Sequence, residues 1–385
     1  MNVQQIYNLV NDISKEVEGE VAVLNEDLSN IVDVGTSIVN ALGYDNYCKA
    51  LVDRIGRTIF VARAYRGELP SVLMDKWEYG SVLQKVYADN MEASENESWD
   101  LQDQASYDVN VFHAVNVTAK YYNTKVTFEV DISIPEVQIK ESFTSAESMN
   151  NFIEMIYTTV ENTMTEKISG LNKRGVNTLI AETFYDEFNL TSGFNGMSGT
   201  KAVNLLYLYN NRFGTSLTAA NALTDKDFNR YAAYMMGVTA SRMQTMTKLY
   251  NVEGKSRFTP PDELTVVLHS DFYAAAKAYL YSDTYHNEFV RLPSADVLSC
   301  FQGAGTDFDF SSTSKIMTTT PSGHTMTITG VIGVLFDRRA VATCNSDRRV
   351  RSNFVPSAEF YNNYFKYDCM LCVGLDEQAV VFYVA

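Results

Sequence analysis

The chain has 385 residues, 46% of them hydrophobic, with 24 tyrosines and a formal net charge of −16. That length allows two or three domains with real cores, and no run of about 18 apolar residues occurs that could cross a membrane. Such acidity excludes a sequence-reading nucleic-acid protein, which concentrates positive charge, yet suits a wall that must not adhere to nucleic acid. Five cysteines and an opening without a basic segment ahead of an apolar run predict a reducing compartment and no secretory signal.

Residues 1–40 carry Ile6, Leu9, Val10, Ile13 and Val17 at helical spacing, with seven acids against one base through Asp33. Few residues there could build a core, so an arm helix that docks on a partner is expected. Residues 57–69 read as a strand and turn. Residues 89–103, DNMEASENESWDLQD, hold six acids and no base, the composition of a solvated loop tip. Next, Tyr107, Val109, Val111, Val115, Val117, Ala119 and Tyr121 alternate with mostly polar residues, His113 being the one polar member of the odd set. A strand of that length would span about 50 Å, more than a compact domain encloses, so an arm reaching outward is expected. Val126, Phe128, Val130, Ile132 and Ile134 repeat the alternation.

Thr144 and Glu147 fit a capping box. Met149, Phe152, Ile153, Ile156, Val160, Met164, Ile168 and Leu171 follow at spacings of three and four, predicting a helix of up to about 60 Å. From 199 the pattern mixes short helices and strands. Residues 224–250 read as helix, stopped by Pro260-Pro261. The segment 263–269 is expected as a buried strand, with Ser270 capping the helix after it. Residues 325–336 read as one strand, and the last stretch as two strands joined at Asp376-Glu377-Gln378.

Groups that could carry chemistry have plainer explanations. Cys369 and Cys372 match Cys-x-x-Cys, but on a strand positions three apart face opposite ways, and no second pair follows. His269-Ser270-Asp271 has the residue types of a hydrolase triad, whose members must converge from separate elements. His286 and His324 lack acidic or cysteine neighbours at ligand spacing. The glycines at 303–305 lack the strand–loop–helix frame and lysine of a phosphate cradle. No catalytic, cofactor or metal site is expected. Arg338, Arg339, Arg348, Arg349 and Arg351 stand out in an acidic chain, with three open readings: DNA contact, pairing with a neighbour's acids, or a solvated face.

GVIGVLFDRRAVAT, SAEFYNNYFKYD and DEQAVVFYV, in about the last fifty-five residues, resemble the C-terminal end of tailed-phage major capsid proteins with the Hong Kong 97 fold. The element order agrees along nearly the whole chain. The resemblance implies an α+β fold divided into an N-terminal arm (1–55), a peripheral strand (56–69), an extended β-hairpin loop (70–135), a peripheral domain with a long spine helix (136–198), an axial domain (199–344) and return strands (345–385). It implies a non-enzymatic subunit without cofactor that assembles as hexamers and pentamers into an icosahedral head around double-stranded DNA. Assembly in the bacterial host cytoplasm, a portal, decoration proteins and non-specific DNA contact go with it, and no membrane does. Met1 leads almost directly into the arm, so a separate scaffolding protein is expected. No cross-linking Lys/Asn pair can be placed. The alternative is the shell subunit of an encapsulin-type compartment. The two most one-sided charge clusters, Glu92, Glu95, Glu97 and Asp100 against Arg348, Arg349 and Arg351, are expected to meet between neighbouring subunits.

Overall fold

The computed structural model describes residues 68–74, 83–88, 91, 103, 105, 114–122, 125–135, 146–281, 295–302 and 309–385. In chain order come a 3-10 turn (Pro70–Val72), β1 (Leu73–Met74), β2 (Leu83–Ala88), β3 (Val117–Tyr122), β4 (Lys125–Pro135) and the long helix α1 (Ala146–Phe188). β5 (Ala202–Asn204), α2 (Leu205–Phe213), α3 (Ala219–Ala222), α4 (Lys226–Met243), β6 (Leu264–His269) and α5 (Ser270–Tyr281) follow. Then come β7 (Asp296–Leu298), α6 (Phe310–Thr313), β8 (Ile316–Thr319), β9 (Thr325–Ile328), β10 (Val331–Asp337), β11 (Val341–Val355), β12 (Phe360–Val373) and β13 (Ala379–Tyr383). The chain forms two compact units.

The first unit takes its described residues from 68–74, 125–135, 146–172 and 343–370. Its sheet runs β1-β11-β12-β4. β4 and β12 pair antiparallel from Phe360 opposite Pro135 to Met370 opposite Lys125. Directly opposed residues share a face, so the alternation at 126–134 sets Phe128 beside Tyr367, Val130 beside Phe365 and Ile134 beside Tyr361. Tyr361, Phe365, Tyr367 and Cys369 are buried. The other face is a polar ladder. Thr127 Oγ1 donates to Asp368 (2.7 Å), Ser133 Oγ donates to Asn362 (2.6 Å), and Lys366 pairs with Glu129 (3.1 Å). Within α1, Val160, Met164, Ile168 and Leu171 form a buried stripe at spacings of four, four and three.

The second unit takes its described residues from 83–122, 173–342 and 371–385. Its central sheet has the order β5-β13-β10-β6-β7. β10 and β13 are buried at every position, and β6 at all but Leu264, which is why VIGVLF and AVVFY read as continuous apolar runs rather than alternating ones. α2, α4 and α5 supply Leu206, Tyr209, Phe228, Met236 and Phe272 to a core with Leu335, Val380 and Phe382. The stretch of α1 from Gly175 to Phe184 is buried on all sides. A Cβ on Gly175 would lie 2.8 Å from Leu371 Cδ1 and Val341 Cγ1, so glycine admits these side chains against the helix.

Four expectations are corrected here. Among the described residues the strand predicted over 107–121 is only β3, with 114–116 outside any strand. The helix expected over 224–250 stops at Met243, because Thr247 and Arg257 exchange two backbone hydrogen bonds and Thr259 N–H donates to Met243 O, turning the chain back. The single strand over 325–336 is two: Gly330, at φ +79°, breaks it, leaving β9 paired with β8 while β10 enters the central sheet. Ser270 lies inside α5 rather than capping it. Instead His269 Nδ1 accepts the N–H of Asp271 at 3.3 Å, a role for which Asx and Ser side chains are usual. The arm at 1–40, the strand at 57–67 and the capping box at Thr144 lie outside the described residues.

Candidate assembly surface

β2 and β3 form a two-stranded ribbon in register from Leu83 opposite Tyr122 to Ala88 opposite Val117, and no third described strand joins it. Its polarity is inverted. Val86, Val117 and Tyr121, 57%, 59% and 64% exposed, point outward, while Lys85, Tyr87, Lys120 and Tyr122 lie on the half-buried side. The alternation that marks a half-buried strand is present, but the apolar half faces away from the subunit's own core. Isolated ribbons of two strands are marginal in water, so the polar side must hold this one.

It does so through Asp376, whose side chain has 0% exposure. Lys85 Nζ reaches its Oδ2 at 2.7 Å, Lys120 Nζ its Oδ1 at 3.2 Å, and Arg257 Nη2 lies 3.5 Å from Oδ2. Lys85 also pairs with Glu377 at 2.5 Å, and Lys120 pairs with Glu253. The guanidinium of Arg257 stands 4.5 Å over the ring of Tyr87, a stacked cation whose hydration is weak enough to permit burial. Burial pushes the Asp376 carboxyl upward, but hydrogen bonds from Lys85 and Lys120 and their charges outweigh it and hold the group below its ordinary range. Burial pulls Lys120 down, and its bonds to Glu253 and Asp376 more than reverse this. Tyr122 is held neutral far above its usual range by burial and by the nearby acids.

The turn carrying Asp376 is fixed by backbone bonds on both sides. Gly374 N–H donates to Ala340 O (2.7 Å), Val252 N–H to Leu375 O (3.1 Å), Asp337 N–H to Gln378 O (3.0 Å) and Ala379 N–H to Tyr250 O (2.7 Å). Gln378 accepts from Thr259 Oγ1 at 2.9 Å and donates to Arg257 O at 2.9 Å. Sequence reasoning treated 376–378 as a connection and Lys120 as one of the polar positions of the alternating run, and it gave Lys85 no role. Two adjacent acids wedged between apolar runs were the available signal.

Of the expected assembly residues, Glu92, Glu95, Glu97 and Asp100 lie outside the described residues, as does the side chain of Arg348 on β11. Arg351 is exposed. Arg349 pairs with Asp368 of its own subunit at 2.8 Å, and Arg339 with Glu263 at 2.8 Å. Cys369 and Cys372 are buried. His269 is buried against Phe301 and Phe310, and Ser270 Oγ turns toward Asp271 rather than toward the imidazole, so no triad forms. His324 stacks on Tyr185 at 3.8 Å; His113 and His286 lie outside the described residues. Among the described residues no group of three metal-ligating side chains converges, and no helix is long and apolar enough to cross a membrane.

Among solved structures, the capsid structure of Staphylococcus phage Andhra matches with a TM-score of 0.50 at 8% identity, over 84% of this chain and 86% of that one. A chain in the structure of the head fiber and inner core protein gp22 of native bacteriophage P68 matches with a TM-score of 0.51 at 8% identity, over 84% and 86%. The fold is therefore a phage capsid fold. No curated protein matches the sequence. The family model of the Phi29-like phage major capsid protein matches residues 9–383, and the chain belongs to that family. It is a structural shell subunit that assembles with copies of itself, and the family match does not favour the encapsulin alternative.

Proposed function

We propose that this capsid subunit builds the icosahedral head of a tailed phage around double-stranded DNA, and that the β2–β3 ribbon is its extended loop, lying across a neighbouring subunit. The outward apolar face of Val86, Val117 and Tyr121 carries this reading: a folded subunit presents such a face to water only until a partner covers it. The ribbon narrows the loop expected over 70–135, since β4 pairs with β12 in the other unit. α1 is the spine helix, and the unit built on the β5-β13-β10-β6-β7 sheet holds the axial domain. The subunit catalyses no reaction. Its partners are copies of itself in hexamers and pentamers, a separate scaffolding protein, a portal, decoration proteins and non-specifically held DNA, with assembly in the bacterial cytoplasm. Contacts between the acids at 92–100 and the arginines at 348–351 help join subunits.

The test is Val117→Asp with Tyr121→Asp. Thermal unfolding of the unassembled subunit should be unchanged while electron microscopy shows shells lost. Normal shells from this variant would end the reading.

A further inference from the structure

The ribbon is mounted with its charges inside and its apolar face outside, so what holds it differs in kind from what holds the core. We propose that Asp376 is the positioning residue of the β2–β3 ribbon, setting the direction in which the apolar face is presented through ion pairs that can loosen while the body stays folded. This rests on the reading of the ribbon as the loop that covers a neighbour.

Three observations support it. Asp376 receives a cation from each strand of the ribbon, Lys85 of β2 and Lys120 of β3, so one carboxylate pins both strands. Its own turn is tied to 250–252 and to 337–340 by backbone bonds, so the carboxylate is the fixed end of the attachment and the lysines the movable end. Around the same contact, Tyr122 feels the charges of Asp376, Cys372, Glu253 and Glu377, and Lys255 and Arg257 lie over the Tyr87 ring. That inner side is mostly ionic and aromatic, whereas β10 and β13 are held by apolar burial. Salt acts on the first kind of attachment through the part-exposed lysines, 21% and 23% exposed, though less than on surface pairs, and leaves the second nearly untouched.

Hydrogen exchange on the unassembled full-length subunit, at one pH, separates the cases. Asp376→Asn keeps the shape and removes the charge. It should speed exchange at 83–88 and 117–122 about tenfold or more, leaving β10 and β13 within about twofold. Asp376→Glu should return the ribbon to within about threefold of wild type. Raising salt from 50 mM to 1 M should speed the wild-type ribbon in the same selective way. Unchanged ribbon exchange overturns the proposal, and so does equal acceleration in β10 and β13, the mark of a merely structural acid. If Asp376→Asn does not fold, Lys85→Gln and the wild-type salt series decide by the same criterion. Assembly is scored separately: a loosened ribbon that still forms normal shells supports the positioning role and refutes the loop reading, whereas a protected ribbon refutes the positioning role alone.

Discussion

Gly330 lies directly beneath the carbonyl oxygen of Val384: a Cβ at Gly330 would sit 2.0 Å from that oxygen, and the backbone there has φ +79°. The two residues are also joined by the bond from Val384 N–H to Gly330 O at 2.8 Å, and Gly330 N–H donates to Ser314 Oγ at 3.0 Å. The break between β9 and β10 and the seating of β13 thus meet at one glycine. Gly330→Ala adds a left-handed penalty of about 1–2 kcal/mol to a clash with backbone that cannot rotate away. A loss of at least about 2 kcal/mol is expected in urea unfolding of the unassembled subunit, and a loss below about 0.5 kcal/mol would contradict the argument.

Gly175 should behave differently because its neighbours are side chains. A Cβ would meet Leu371 and Val341 at 2.8 Å, and both can shift. Alanine also gains about 1 kcal/mol of helix propensity, so Gly175→Ala should be neutral within about 1 kcal/mol. Gly175→Leu overfills the same space and should lose about 1–3 kcal/mol or more. Equal effects of the two substitutions in denaturant unfolding would show that the close approach does not matter.

Two groups predict separate steps in acid. Burial pushes the His269 imidazole down, opposed by the Asp271 charge, so as pH falls below about 6.5 the unfolded chain takes up a proton that the folded chain refuses, and stability drops. His269→Phe should reduce the loss of stability between pH 7.5 and 5.5, measured against wild type in the same urea series. A wild-type profile matched by the variant would rule His269 out.

The Asp376 carboxyl is held below its ordinary range, so its contribution is present above about pH 4 and is lost as pH falls from there through the folded value. Ribbon protection should fall in that lower window, after correction for intrinsic exchange, and Asp376→Asn should show no such step. Protection that declines instead between pH 7.5 and 5.5 would assign the effect elsewhere.

Charge reversal probes the pairing between the arm and the arginines. Replacing Arg348, Arg349 and Arg351 with Glu should slow assembly strongly at low salt and little at high salt, and reversing Glu92, Glu95, Glu97 and Asp100 to Lys should partly restore it. Arg349 already pairs with Asp368 in its own subunit, an exposed pair worth about 0–1 kcal/mol, so Arg349→Glu alone should change unfolding little. Light scattering follows the assembly rate; a triple reversal that assembles at the wild-type rate at low salt would remove the pairing.

The elements dominated by local periodicity were legible in the amino-acid order. The buried stripe of α1, the alternation that makes β4, and the apolar runs of β6, β10 and β13 each repeat one structural period several times, so any fold using them had to bury those faces or runs. Family membership was legible too, through the residues from Gly330 to Val384 and the order of elements. The rest needed contacts between distant parts of the chain. Period-two alternation names two faces of a strand but not which one meets the protein, and in β2–β3 the charged face does, because a carboxylate 291 positions from Lys85 waits there. Breaks at Met243 and Gly330 were set by a backbone pairing of Thr247 with Arg257 and by the oxygen of Val384, neither of which leaves a periodic trace. Local sequence determined what each segment could form; the closing of long loops decided where it stopped and which side it showed to water.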